Sequence, residues 1–189
     1  MFAVMTNRDH FLLALLVALF FVFTIHFLNF PGSVPNFVKS SNGGVLLDAV
    51  PSFSEDELYR RLAEYGVEGR RNYTRRNLTV DLILPIGVLP FLLILMRLAL
   101  NKFAMGRITQ LMLLSLPLAY VALDFAENGA VLVLLSNFPE RVHHVAGIVP
   151  YLTVLKRAAS MLAIFIPLII LVSSLVSRRT KGVYTKDPS

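Results

Sequence analysis

The chain has 189 residues, 56% of them hydrophobic, with a mean hydropathy of +0.66 and a formal charge of +6. Soluble globular domains are about 45–50% apolar with the apolar residues dispersed at core period; here they are massed in four blocks nearly free of charge, which excludes an ordinary soluble domain. The absence of cysteine excludes a disulfide framework, a thiolate metal site and Cys-x-x-Cys redox chemistry.

The sequence carries no Gly-rich phosphate loop, zinc-finger spacing or RNP-like motif. Its excess of Lys and Arg falls at the borders of the apolar blocks, where anionic headgroups favour it. Membrane lipids are therefore the expected partners, and nucleic acid is not.

A polar leader over 1–10 precedes the first apolar block, 11–30. Its core is too long for a cleaved signal peptide and long enough to cross a bilayer, so an uncleaved signal anchor is expected. Residues 31–80 form the first extramembrane loop. The prolines and glycines at 31, 32, 35, 43, 44 and 51 mark irregular chain over 31–53. Ser54 with Glu57 three residues on is a capping-box pattern, Leu58, Leu62 and Tyr65 share one face, and Gly66 is placed to stop the helix. One short amphipathic helix over about 55–65 follows, lying on the membrane surface or capping the bundle. Arg70, Arg71, Arg75 and Arg76 come next, as a headgroup border or as an anion site, since Arg grips phosphate or carboxylate with two parallel hydrogen bonds. Two Asn-x-Thr sequons, at Asn72 and Asn77, lie in the same stretch.

The second span is expected over 82–100, kinked by Pro85 and Pro90, and a basic connection leads to the third over 108–135, with Pro117 inside it. Residues 136–150 read as a loop or interfacial turn. The fourth span covers 157–176, closing a membrane domain of 11–177, and 178–189 reads as a disordered basic tail. The fold class is an all-α integral membrane protein, a four-transmembrane-helix bundle with one short amphipathic helix in its first loop. Such a small bundle buries little against itself, so a second copy or another membrane protein is an expected partner. Loop charges point both ways on orientation; the short segments bearing Arg8, Lys102, Arg107 and Arg178 favour cytosolic termini.

Asp124, Glu127 and Asn128 interrupt the third block. Spacings of three and four put them on one helix face, and carboxylates facing hydrocarbon cost several kcal/mol, so this face looks into protein or water. At 1.5 Å per residue Asp124 lies ~24 Å from Ile108, toward the end that faces the long loop. Asp81, His26, His143 and His144 belong to the same end. Three readings follow. In the first, the carboxylates serve as structural glue, paired with Arg70, Arg71 or Lys156. Alternatively Asp124 or Glu127, with Asp81 and His143, exchanges a proton with a lipid-soluble substrate, while Asn128, Arg70, Arg71 and His26 bind the ligand. The third is a divalent ion on the acids and histidines, against which stand the adjacent His143–His144 pair and the lack of any His-Glu-x-x-His motif; no metal ligand is assigned, and no cofactor is readable. In size and intramembrane acids the chain resembles sterol-isomerase-like and sigma-2-receptor-like membrane proteins, in architecture alone and with no motif in common. Two function classes stand: a protein that binds or acts on a lipid or sterol-like ligand, enzymatic or not, and a non-catalytic subunit or assembly factor of a membrane complex.

Overall fold

The computed structural model describes residues 6–184, with side chains described for Thr6 and for 8–176. Residues 1–5 of the leader, residues 185–189 of the tail, and the side chains of Arg178, Arg179 and Lys181 on which the orientation argument draws lie outside the described residues. Seven helices follow in order: α1 (Asn7–Phe27), α2 (Val34–Ser40), α3 (Glu55–Glu64), α4 (Gly66–Leu78), α5 (Val80–Leu100), α6 (Arg107–Asn137) and α7 (His143–Tyr184). Four segments, Arg8–Phe27, Gly66–Leu100, Arg107–Asn137 and His143–Val176, are long and apolar enough to cross a membrane.

Local chemistry sets the helix ends. Thr6 caps α1 reciprocally with Asp9: the Asp9 carboxylate accepts from the Thr6 amide at 2.8 Å, and Thr6 Oγ1 accepts from the Asp9 amide at 3.3 Å. Ser33 and Ser54 accept from the amides of Asn36 and Glu57 to start α2 and α3. Gly66, at φ +65°, takes the left-handed turn that ends α3 at little steric cost. The chain then re-enters a helix at once.

This re-entry corrects the reading of 31–80 as a loop with one helix. The segment is a folded cap of three helices, α2, α3 and α4, and α3 belongs to its core. Leu58, Leu62 and Tyr65 are buried together with Phe37, Leu46, Leu47 and Tyr73, against Val131, Leu134, Ala146 and Val149 of α6 and α7. The Gly-rich stretch between α2 and α3 is held by side chains reaching into its carbonyls. Arg61 donates to Val50 O at 2.6 Å, Val45 O at 2.8 Å and Leu46 O at 3.0 Å; Tyr65 Oη donates to Val45 O at 2.5 Å. Tyr73 Oη accepts from the Leu47 amide at 3.1 Å, and Arg157 Nη2 donates to Asp48 O and Ala49 O, each at 2.5 Å. Buried carbonyls need such partners, and here long side chains supply what a sheet or helix would.

The fourth long helix starts at His143, not at 157, and runs through Pro150. A proline inside a helix costs about 3 kcal/mol. Against that, Ala146, Val149, Thr153 and Lys156 are buried at helical spacing, and tertiary packing wins. The backbone of α7 also continues to Tyr184, into the stretch read as a disordered tail from 178. The 31 residues of α6 span ~47 Å, and the 34 from His143 to Val176 span ~51 Å. Both exceed the ~30 Å of a hydrocarbon slab by about 17 and 21 Å, and at their joined ends Val131, Leu134, Ala146 and Val149 are buried in the cap core. Among the four long segments, α5 packs on α1, α6 and α7, whereas α1, in its described residues, packs mainly on α5 and on the α2 end of the cap.

Candidate functional site

Where the cap meets the bundle, side chains from five segments converge. On α6, Asp124, Glu127 and Asn128 face inward and are buried, Glu127 completely at 0% exposure. The face read from spacing is therefore turned into protein. Facing it on α7 are Thr153 and Lys156. Lys156 Nζ touches Glu127 Oε2, stands 3.2 Å from Asp124 Oδ1 and lies 3.9 Å from Asp48 Oδ2. Thr153 Oγ1 donates to Glu127 Oε1.

The pairing follows from counting. Glu127 and Asp124 lie ten and thirteen residues before the end of α6, and Thr153 and Lys156 lie ten and thirteen after the start of α7. In an antiparallel hairpin those pairs come level, ~15 and ~20 Å from the turn.

The cap closes the other side. Asn128 Nδ2 donates to Asp124 Oδ2 at 2.9 Å and to the Asp81 carbonyl at 3.2 Å, and Asn77 Nδ2 donates to the Asn128 carbonyl at 3.3 Å. The Asp81 carboxylate, at the start of α5, pairs with Arg76 at 2.9 Å, with both side chains under 10% exposed. Arg76 also donates to Gly32 O at 3.1 Å, fastening the turn that follows α1. Charge does not balance: Asp48, Asp81, Asp124 and Glu127 face two cations, Arg76 and Lys156. Asp48 Oδ1, Arg76 Nε and Asn77 Oδ1 are buried with no hydrogen-bond partner among the described residues. Low dielectric strengthens each contact here and makes each missing partner costly.

The structure thus brings together four of the eight residues singled out from sequence: Asp81, Asp124, Glu127 and Asn128. The other four lie apart. His26 is exposed, with Nδ1 2.8 Å from its own Val22 carbonyl. His143 is at the rim, 2.8 Å from Glu55, beside Arg141, which pairs with Asp56 at 2.5 Å; His144 is exposed. Arg70 donates to Leu62 O at 2.9 Å and lies over the Phe138 ring at 4.2 Å, and Arg71 makes an exposed pair with Glu68 at 3.1 Å. Neither reaches the acids. The arginine that does is Arg76, and the sequence held its signal: Gly69, Asn72, Tyr73, Arg76 and Asn77 are the buried residues of α4 and recur at spacings of three and four. Arg70, Arg71 and Arg75 fall on other faces. Both sequon asparagines, Asn72 and Asn77, are buried in the helix. Among the described residues no three His, Asp or Glu are grouped so as to hold a metal ion.

A second candidate lies on the α1–α5 seam. A cleft of about 490 Å³ is lined by Leu13, Ala14, Val17, Pro90, Ile94 and Leu98, with His10, Arg97 and Asn101 at its polar end. The Arg97 guanidinium has no partner among the described residues. Neither this cleft nor the two beside the start of α5 is lined by Asp124, Glu127 or Lys156. Compared with protein-family models, curated protein sequences and solved structures, the chain matches none.

Proposed function

We propose that the protein is a four-span integral membrane protein, both termini cytosolic, that binds an amphipathic lipid-soluble ligand laterally between α1 and α5. The observation that carries this is the Arg97 cleft. Its volume falls in the range of small-molecule sites, its walls are aliphatic, and its few polar groups are gathered at one end. That is the complement of a molecule with an apolar body and one polar head. Arg97 supplies a charged anchor near the end of α5, and His10 a second polar contact. The acid–lysine cluster is then the fastening of cap to bundle, because its ion pairs and hydrogen bonds join side chains of five segments to one another.

Photolabelling tests it. The full chain, reconstituted in phosphatidylcholine nanodiscs and irradiated with a diazirine-bearing sterol or fatty acid, should be labelled on α1 and α5 around Leu13 and Ile94. Ile94→Trp, which fills the cleft, should reduce that labelling. Labelling spread evenly over the apolar surface and indifferent to Ile94→Trp would end this reading.

A second reading, proton exchange with a ligand at Asp124 and Glu127, is favoured by the excess of carboxylates over cations and by the unpartnered atoms around them. It requires Glu127→Gln to abolish labelling that Ile94→Trp leaves intact.

A further inference from the structure

A different cleft lies along the same seam, on the cap side of the point where α1 and α5 touch. That contact is Phe21 on Gly87: a Cβ at Gly87 would stand 2.9 Å from the Phe21 ring, so only glycine admits the approach without a shift of the ring. Beyond it a cleft of about 430 Å³ is walled by Phe20, Phe21, Ile25, Val80 and Ile83 and rimmed by Arg75 and Thr79. A shallower cleft on the outer side of α4, lined by Arg71, Thr74 and Leu78, shares those same two rim residues. The two therefore adjoin at Arg75 and Thr79, the apolar one against the spans and the basic one along α4.

We infer that this composite cleft binds an anionic glycerophospholipid, with its phosphate on Arg75 and Arg71 and one acyl chain between α1 and α5. The inference rests on the four-span reading but not on ligand binding at Arg97.

Three observations select this occupant. The first is charge. The Arg75 side chain has no partner among the described residues, and Arg71 is engaged only by Glu68, in an exposed pair. Arginine at a membrane border is attracted to net negative headgroups, at about 1 kcal/mol per residue, and holds phosphate in a fork geometry that lysine lacks. The second is depth. The walls are apolar residues of α1 and α5, whereas the rim is the arginine-bearing end of α4; acyl and headgroup levels would coincide with walls and rim.

The third is an orphan. Thr24 belongs to the lining of this cleft, and its Oγ1, buried behind the cleft wall, has no hydrogen-bond partner among the described residues. It sits three residues before the end of α1, ~5 Å below it. That is the level of a lipid's glycerol and ester oxygens, and a turn about χ1 that brings the buried hydroxyl to the cleft would let an ester carbonyl accept its proton. A free phosphate would leave both Thr24 and the apolar walls unused.

Native mass spectrometry of the full chain released from nanodiscs of phosphatidylcholine and phosphatidylglycerol at a 4:1 ratio tests this. Retained lipid should be enriched in phosphatidylglycerol. Arg75→Gln should lower the enrichment roughly fivefold, as expected for ~1 kcal/mol, and Ile83→Trp should lower it by blocking the chain. Arg70→Gln, whose guanidinium is turned to Leu62 and Phe138, should leave it unchanged. Added dioctanoyl-phosphatidylglycerol should displace the retained lipid and glycerol 3-phosphate should not. Equal retention of the two lipids, or enrichment indifferent to Arg75→Gln and Ile83→Trp, overturns the inference, as does displacement by glycerol 3-phosphate. Failure of the chain to enter nanodiscs at all would instead overturn the four-span reading beneath it.

Discussion

The α6–α7 seam and the α1–α5 seam each join two antiparallel helices, yet they are made of opposite materials. Between α6 and α7 the contact is a column of small and branched apolar residues that ends in Glu127 with Thr153 and in Asp124 with Lys156. Between α1 and α5 there is no such pair. Among the described residues of α1 only Ala18 and Ile25 are buried, Phe11 packs on Phe91 with ring centroids 5.8 Å apart, and clefts open on either side of the Phe21–Gly87 contact. On the proposed membrane-spanning reading, the difference follows from the solvent. Hydrocarbon is as apolar as leucine, so an apolar seam gains little from closing, whereas groups that lipid cannot satisfy hold helices together in one register. One seam fixes the register of its helices; the other leaves clefts open along its length.

The strongest way to break this contrast is to remove the shared cation. Lys156→Ala leaves Asp124 and Glu127 buried without their counter-charge and should cost about 3–5 kcal/mol, read as a large fall in the thermal unfolding midpoint in detergent. Glu127→Gln keeps an acceptor for Thr153 and removes a surplus negative charge, so it should cost a small fraction of that. Equal effects of the two would mean that the seam is held by its apolar column alone.

Next in size is the fastening of the cap. Arg76→Ala should destabilise by about 3 kcal/mol and raise hydrogen exchange in α2 and α4, while Arg76→Met combined with Asp81→Leu should recover much of the loss. A double variant no better than Arg76→Ala would place the energy in the Gly32 contact instead of the ion pair.

The smallest effect sharpens the comparison at the cap itself. Tyr65→Phe removes the hydrogen bond to Val45 O and should cost about 1 kcal/mol at neutral pH. Burial pushes the Tyr65 phenol up from 10.0 to about 12. On alkalinisation the unfolded chain therefore loses its proton first. The stabilisation is complete below pH 10 and is lost as the pH rises from 10 to 12. Unfolding midpoints measured over pH 9–12 should fall less steeply for Tyr65→Phe than for the parent, and identical slopes would rule Tyr65 out as the group responsible.

Much of the bundle was legible because apolar blocks of spanning length and a three-four polar face are local signals. Asp124, Glu127 and Asn128 could be turned inward from spacing alone. Their partners could not be named so easily. Lys156 stood beside Arg70 and Arg71 as a candidate partner, but Pro150 and the two histidines mark a loop by composition, so its place thirteen residues inside a helix was not legible. Asp48 comes from a stretch with no period at all, fixed by Arg61, Arg157, Tyr65 and Tyr73 reaching in from distant helices. His26 and His143 share an end of the bundle with the cluster, but closeness in depth does not set rotation about a helix axis, and both face outward. For α4 the period was present, and a tract with four arginines concealed it.

The matched spacing of ten and thirteen residues on either side of the α6–α7 turn makes that turn a ruler. A residue added or lost between Asp124 and Lys156 within either helix would swing one partner by ~100° and slide it by 1.5 Å, parting Lys156 from both acids at once. The connection at 101–106 carries no such constraint, since no charged pair beyond it depends on the count. Variation in length is thus affordable at one end of the bundle and ruinous at the other, and the chain's capacity to accept insertions is as lopsided as its charge.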